Sequence, residues 1–297
     1  MGSRGGGLVH ALLAQGHFVT ATTTGSTRSI NHPRRSRVQL ELGQPDEGWK
    51  HFLGGAEVIY HLAWSTVPSE ARVLPVEDAR VNIIGSLSLI QAIQQVEPTA
   101  RVVFASSGGT VYGALSTIPA TEDHPLRPIS AHGVSKLAVE LYLEVARRDS
   151  GLSSISLRIG NLYGPGQSRD RMFGAVTQFA SRALSGRPIR IFGDGSATRD
   201  YVFIDDVIIA LLVAGNNHLT GPVNIGTGIG HSLNDVAAIV AAAAGQEIII
   251  ERLPGRGFDV PVSILDPSRA NAALGWQARM TFSEGVKKTL EAFRAAR

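Results

Sequence analysis

Two ionisable side chains, His132 and Lys136, are the first candidates for chemistry in this sequence. They are four residues apart, so a helix would place both on one face. A neutral imidazole can accept a proton near neutral pH, and a nearby ammonium disfavours the protonated imidazole. Histidine and lysine in this arrangement suit general acid–base catalysis. A histidine at a helix start is also often a capping or surface residue.

Two arginines in separate loops, Arg199 and Arg256, suit a diphosphate ligand. Each guanidinium can donate two parallel hydrogen bonds to phosphate oxygens, so two of them can hold both phosphates. A structural ion pair is the alternative interpretation of these arginines.

The glycines at the start of the chain suggest a second phosphate site. Gly2 and Gly5 have the spacing of the second and third glycines of a dinucleotide fingerprint, and a helical pattern follows at once. Such glycines let a pyrophosphate approach a helix N-terminus. The first glycine and its preceding strand are absent, which predicts a gap in the sheet. Alternatively, the opening residues are a leader and a flexible start.

Strands and helices alternate in the sequence that must position these residues. Strands are predicted at 17–23, 56–61, 101–106 and 154–159, and helices at 78–95, 132–148, 173–185, 204–214 and 233–244. The alternation predicts an α/β fold with a Rossmann-like doubly wound parallel sheet, its first strand missing, and a smaller C-terminal α/β substrate domain. We place the dinucleotide-binding domain at residues 1–165 and the substrate domain at 166–297, with parts of 200–230 packing back on the first domain.

Composition excludes several classes of function. The chain is 43% apolar and 18% charged, as in a globular protein, and it has no cysteine for disulfides, thiolate metal sites or thiol nucleophiles. We expect a cytoplasmic protein without a metal site. Its net charge of +3 and dispersed arginines argue against nucleic acid as a partner, and no apolar run approaches the roughly 20 residues that span a membrane.

Several segments closely resemble the extended short-chain dehydrogenase/reductases, in particular the NAD(P)-dependent sugar-nucleotide epimerase/dehydratase family with UDP-glucose 4-epimerase-like members. The segments are 58–64, 82–86, 104–113, 128–140, 157–165, 191–202 and 266–276. The resemblance extends from Leu8 to the C-terminal helix.

The resemblance implies a cofactor site. Leu62 and Ala63 belong to a strand-end His-Leu-Ala motif against which the cofactor would lie, and Asn82 and Lys136 would complete the site. His61 of the same motif is expected to be a core histidine.

The choice between NAD and NADP depends on the second predicted strand. No carboxylate follows it, and Thr23 with Arg28 would suit the 2′-phosphate of NADP. NAD or NADP is therefore the expected cofactor, and a solvated basic loop is the alternative interpretation.

Two positions depart from the family pattern. His132 stands where the family has a tyrosine four residues before lysine, and Gly108 stands where many relatives have serine or threonine. The catalytic hydroxyl would therefore come from Ser107 or Thr110.

On the substrate side the resemblance assigns Asn161, Arg199 and Arg256 to the diphosphate of a UDP-sugar or other NDP-sugar. The implied function is 4-epimerisation of an NDP-sugar, with UDP-hexose preferred, through transient oxidation by bound NAD(P), in polysaccharide or nucleotide-sugar metabolism. The alternatives are a catalytically impaired sugar-nucleotide-binding homologue and an NAD(P)-dependent sugar-nucleotide reductase. A homodimer is expected through helices 78–95 and 132–148.

Overall fold

The computed structural model describes residues 3–23, 32–39, 49–66, 68–167, 174–255 and 260–295. The strands are β1 (Val19–Thr23), β2 (Arg35–Gln39), β3 (Val58–His61), β4 (Arg101–Ser107), β5 (Ser154–Ile159), β6 (Asn161–Tyr163), β7 (Ile189–Phe192), β8 (Thr198–Phe203), β9 (Gly221–Ile225), β10 (Gly230–Ser232), β11 (Ile250–Leu253) and β12 (Val262–Ser263). The helices are α1 (Ser3–Ala14), α2 (Trp49–Leu53), α3 (Pro68–Val73), α4 (Pro75–Asp78), a π-helix (Ala79–Ile84), α5 (Gly85–Val96), α6 (Gly108–Val111), α7 (Ala131–Ser150), α8 (Ala175–Leu184), α9 (Ile204–Gly215), α10 (Leu233–Ala244), α11 (Ser268–Leu274) and α12 (Phe282–Ala295).

The central sheet is parallel, with strand order β3-β4-β5-β9. Strands β1 and β2 form a separate parallel pair, and among the described residues no ladder joins this pair to β3. Both sets of strands are parallel. Together with the helices they confirm the predicted α/β fold class.

Helices cover both faces of the central sheet, as its buried strands require. Successive residues of β4 point to opposite faces: Val103 and Ala105 join a core formed with α1 and α9, whereas Val102 and Phe104 join one formed with α2, α5 and α7. The helix α7 therefore lies on the second face.

The C-terminal strands form two smaller sheets. In one, β8 pairs with β6, β10 and β12, and in the other β7 pairs with β11. Helices α8, α10 and α12 pack on them around a third core. Strand β9 pairs with β5 in the central sheet although it lies late in the chain. The domain boundary after residue 165 remains a prediction.

The helix predicted at 78–95 is divided by the π-helix. Asp78, Asn82 and Ser86 recur every four residues and are fully buried, so their polar groups must find partners inside the protein. Asn82 Nδ2 donates to Asp78 Oδ1 (2.9 Å), and Ser86 Oγ donates to the Asn82 carbonyl (2.5 Å). Such local bonds compete with regular helix bonding, and π-turns often mark functional sites.

Candidate active site

The first turn of α7 lies directly against the loop that follows β4. Ser130 caps the helix by accepting a 3.1 Å hydrogen bond from the Gly133 amide. A Cβ at Gly133 would lie only 2.5 Å from the Thr110 carbonyl oxygen, so glycine is needed for this close approach. The two segments that carry the predicted base and hydroxyl groups, His132 and Ser107 with Thr110, are therefore packed together.

Lys136 points into the protein interior from the next turn of α7 and is buried. Its ammonium donates a 2.7 Å hydrogen bond to the Ala105 carbonyl. It also lies 3.5 Å from the centroid of the Trp64 ring and 4.7 Å from that of Phe104. The end of β4 and the segment after β3 thus fix the position of the ammonium.

His132 shares one of these neighbours. Its imidazole lies edge-on to Trp64, with ring centroids 5.8 Å apart and planes at 71°. Both members of the predicted catalytic pair therefore contact the same indole. The sequence prediction missed Trp64, although its position directly after the His-Leu-Ala motif was a signal.

Asn82 is completely buried and organises the segment after β3. Its Oδ1 accepts hydrogen bonds from the Ser65 amide (3.0 Å) and hydroxyl (3.2 Å), and its Nδ2 donates to Thr66 Oγ1 (3.1 Å). The segment that includes Leu62 and Ala63 is thereby fixed against the π-helix. Leu62 packs on the first core, and Ala63 is exposed.

Asp78 is a second buried organiser that the sequence prediction missed. Its carboxylate accepts hydrogen bonds from Thr66, Asn82 and Ser135. These donors come from the segment after β3, the π-helix and α7. One carboxylate therefore joins the three elements that carry Ala63, Asn82 and Lys136. Its spacing of four from Asn82 was the signal for it.

His61 is a buried core histidine. Its Nε2 lies 2.8 Å from Ser86 Oγ, which itself donates to the Asn82 carbonyl, so the imidazole is the donor of the pair. Burial, together with the nearby Lys136 ammonium, lowers the pKa of His61 to about 3. The imidazole is therefore neutral at physiological pH. It holds Asn82 in place through Ser86, which bonds to both residues.

Gly108 has no room for a hydroxyl-bearing side chain. A Cβ there would lie 2.5 Å from one methyl of Leu265 and 3.0 Å from the Arg158 carbonyl oxygen. The departure from the family pattern at this position thus has a packing cause. Thr110, two residues after Gly108, donates a 3.4 Å hydrogen bond to the Ser107 carbonyl, so both candidate hydroxyls lie on the same turn.

A buried ion pair between Arg158 and Glu140 lies next to the turn that follows β4. Arg158 donates to both oxygens of Glu140, through Nη2 at 2.8 Å and through Nε at 3.0 and 3.3 Å, and Glu140 also accepts from Ser106. Arg158 Nη1 donates to the Tyr112 hydroxyl at 3.0 Å. Burial raises the pKa of Tyr112 to about 12, so this phenol stays protonated. The network fixes β4 and β5 to α7.

The predicted substrate residues lie on adjoining strands. Asn161 begins β6, and its Oδ1 lies 3.1 Å from the position that a Cβ would take at Gly109. Strand β6 pairs with β8, which carries Arg199 two residues before the partner of Asn161. Arg199 Nη1 donates to the carbonyls of Thr198 (2.8 Å) and Pro261 (3.4 Å). The fold therefore brings Asn161 to the loop that carries Ser107 and Thr110, and Arg199 to the neighbouring strand.

The remaining predicted residues concern the cofactor and the second arginine. Gly5 lies in the first turns of α1, and Thr23 ends β1, where it pairs with Gln39. Gly2, Arg28 and Arg256 lie outside the described residues.

In the part of the chain that is described, no helix is both long and apolar enough to cross a bilayer. Nor do the described His, Asp and Glu side chains form a group of three that could hold a metal ion.

Comparison with known proteins gives a consistent result. The sequence model of the NAD dependent epimerase/dehydratase family matches residues 1–226. The UDP-glucose 4-epimerase of Mycolicibacterium smegmatis is 37% identical over 298 residues, which is 98% of this chain and 95% of the relative.

Solved structures agree with this. The UDP-glucose 4-epimerase of Thermotoga maritima with UDP-glucose has a TM-score of 0.94 and 33% identity, covering 99% of this chain and 96% of that one. The Thermus thermophilus UDP-glucose 4-epimerase with NAD has a TM-score of 0.92 and 34% identity, covering 100% and 97%. The chain therefore belongs to the NAD-dependent epimerase/dehydratase family.

Proposed function

We propose that the protein is an NDP-sugar 4-epimerase that acts on a UDP-hexose with NAD as its cofactor. The observation that carries this proposal is the packing of Gly133 on the Thr110 carbonyl. This contact places α7, with His132 and Lys136, against the loop that carries the Ser107 and Thr110 hydroxyls. The relatives that are UDP-glucose 4-epimerases support the choice of reaction.

The residues present fit a dinucleotide. A Cβ at Gly6 would meet no described atom within 4 Å, so α1 is open on this side. The N-terminus of such a helix favours a phosphate group. Asn82 and the buried Lys136 border the segment after β3, whose exposed Ala63 offers a small surface for a ring. When bound, NAD would take hydride from C4 of the sugar and return it to the opposite face.

The protein's own groups would manage the proton of the 4-hydroxyl. His132 accepts this proton as hydride leaves the carbon, and it gives the proton back when hydride returns. The Thr110 or Ser107 hydroxyl orients the sugar oxygen, and Lys136 holds the cofactor. An imidazole suits the role of base, because its neutral form can accept a proton near neutral pH.

The substrate's diphosphate would lie against the paired strands β6 and β8, beside the side chains of Asn161 and Arg199. Asn161 and Arg199 are on these paired strands, and Arg256 is the predicted second guanidinium. Guanidinium groups favour diphosphate because they donate in a bidentate manner to its oxygens. Binding of the diphosphate by these residues does not depend on the identity of the catalytic base.

Two alternatives follow from the same site. The histidine at position 132 favours a sugar-nucleotide-binding homologue with impaired catalysis. A sugar-nucleotide reductase would use the same cofactor but would convert a keto-sugar once, without returning the hydride.

Calorimetry and turnover separate these functions. Titrations with NAD, NADP and UDP-glucose give the affinities, and chromatography follows UDP-glucose and UDP-N-acetylglucosamine for their 4-epimers. The epimerase proposal expects NAD binding and a 4-epimer from one of the two sugars. If the protein bound UDP-glucose but neither NAD nor NADP, this would contradict the epimerase proposal and favour the non-catalytic homologue. Net consumption of NADH with a keto-sugar substrate, without formation of an epimer, would favour the reductase. A strong preference for NADP would revise the cofactor assignment.

We also propose that two copies pair through α7 and the segment before α5. Leu141, Tyr142 and Val145 lie on one face of α7 and are 56%, 46% and 51% exposed. Val76 in α4 and Ile84 at the end of the π-helix are also exposed, and both of these elements pack against α7. Exposed apolar clusters of this kind are typical of interfaces. Light scattering should show a dimer that Leu141→Glu converts to a monomer; a monomeric parent protein would contradict the proposal.

A further inference from the structure

The indole of Trp64 contacts both members of the proposed catalytic pair. Its ring centroid lies 3.5 Å from Lys136 Nζ and 5.8 Å from the centroid of the His132 imidazole. The ammonium lies over the ring, whereas the imidazole meets it at 71°. A cation is attracted to the electron-rich face of an aromatic ring, and edge-to-face contact is a preferred arrangement of two rings.

The neighbours of Trp64 make this arrangement rigid. Phe104 is completely buried and lies 6.0 Å from Trp64 between ring centroids, at 48°, and its own ring is 4.7 Å from the Lys136 ammonium. The carbonyl of Ala105 accepts from the same ammonium at 2.7 Å. Two aromatic rings and one carbonyl thus define where the charge lies.

Trp64 is held by ring contacts and not by its polar atom. Its Nε1 is buried and makes no hydrogen bond within the described part of the chain. A phenylalanine would therefore keep the aromatic face that meets Lys136, whereas a leucine would remove it.

We propose that Trp64 is a positioning residue for His132 and Lys136, and the proposal rests on the epimerase function proposed above. The indole comes from the segment after β3 and so ties the catalytic helix to the cofactor side of the site. It fixes the ammonium by a cation–π contact and the imidazole by a T-shaped ring contact. Since this pair lacks the family's tyrosine, an aromatic ring from another element supplies the orientation.

The test compares Trp64→Phe and Trp64→Leu with the same changes at Trp49. Trp49 is a fitting control because its Nε1 is also buried and also lacks a hydrogen-bond partner among the described residues. Both indoles pack on the core beside α2 and α5, but the described indole contacts of His132 and Lys136 are those with Trp64. The measurements are the melting temperature, the NADH dissociation constant by calorimetry, and kcat and KM for UDP-glucose.

Trp64→Leu should lower kcat at least tenfold and raise the NADH dissociation constant at least fivefold, with KM for UDP-glucose changed less than threefold. Trp64→Phe should stay within about threefold of the parent in every constant. The Trp49 variants should change the melting temperature alone.

Three outcomes would overturn the proposal. These are a Trp64→Leu protein with the parent's kcat and NADH affinity, a Trp64→Phe protein as impaired as Trp64→Leu, and a Trp49→Phe protein with the same loss. If the parent protein epimerises neither UDP-glucose nor UDP-N-acetylglucosamine, the proposed function fails separately, and the NADH affinities of the folded variants still decide whether Trp64 positions Lys136.

Discussion

The hydroxyl of Ser135 donates a 2.5 Å hydrogen bond to the buried carboxylate of Asp78. Ser135 directly precedes Lys136 on α7, and Asp78 directly precedes the π-helix that carries Asn82. The bond therefore links α7, which carries the proposed base, to the π-helix, which borders the proposed cofactor site.

We predict that Ser135→Ala destabilises the protein by about 1.5–3 kcal/mol, because the buried carboxyl group of Asp78 loses one of its hydrogen-bond donors. Urea unfolding measures the change. Ser88→Ala is the control, since among the described residues the Ser88 hydroxyl bonds only to the carbonyl of Ile84, four residues earlier, and it should stay within about 0.5 kcal/mol. Equal effects of the two substitutions would contradict the role of Asp78.

Restoring the hydroxyl that many relatives carry at Gly108 should harm this chain. Gly108→Ser would place Cβ 2.5 Å and 2.9 Å from the two methyls of Leu265, which is fully buried. We expect a loss of about 1–3 kcal/mol from overpacking. In Gly108→Ser/Leu265→Ala the two costs should be less than additive, because the alanine opens space for the serine. Strict additivity in urea unfolding would show that the contact does not matter.

The sequence predicted much of this framework, since strands and helices that alternate with clear apolar patterns form the central sheet. It predicted α10 at its observed bounds and α7 within two residues at each end. The π-helix could not be predicted, because it depends on partners such as Ser65 and Thr66 that are distant in the chain. The same holds for Trp64, whose role depends on contacts with α7.

His61 should make folding sensitive to acid. Its pKa is lowered from an ordinary value of 6.5 to about 3 in the folded protein, so below pH 6.5 only the unfolded chain gains the proton. This contribution to stability is complete above pH 6.5 and is lost between pH 6.5 and 3, by up to about 1.4 kcal/mol per pH unit.

His61→Gln removes the titrating group and tests this linkage. Its free energy of unfolding should fall less than that of the parent protein between pH 7 and pH 5, as measured with urea at both values. Parallel losses in the two proteins would show that His61 does not titrate as described.

The ion pair between Arg158 and Glu140 should be costly to break from one side. Their side chains are only 3% and 6% exposed. Glu140→Ala leaves a buried guanidinium without its carboxylate, and we expect a loss of about 3–5 kcal/mol. The exposed pair of Arg190 and Glu251 is the control, where Glu251→Ala should cost about 0–1 kcal/mol. Similar unfolding midpoints for the two variants would contradict this difference.

The catalytic use of His132 is the central claim, and turnover of UDP-glucose by His132→Ala is its most direct test. NADH affinity, measured by calorimetry, serves as the control for an intact site. A general base contributes about 10²–10⁴-fold to the rate, so His132→Ala should lower kcat at least about a hundredfold while it binds NADH like the parent protein. An alanine variant that epimerises UDP-glucose at the parent's rate would contradict the claim.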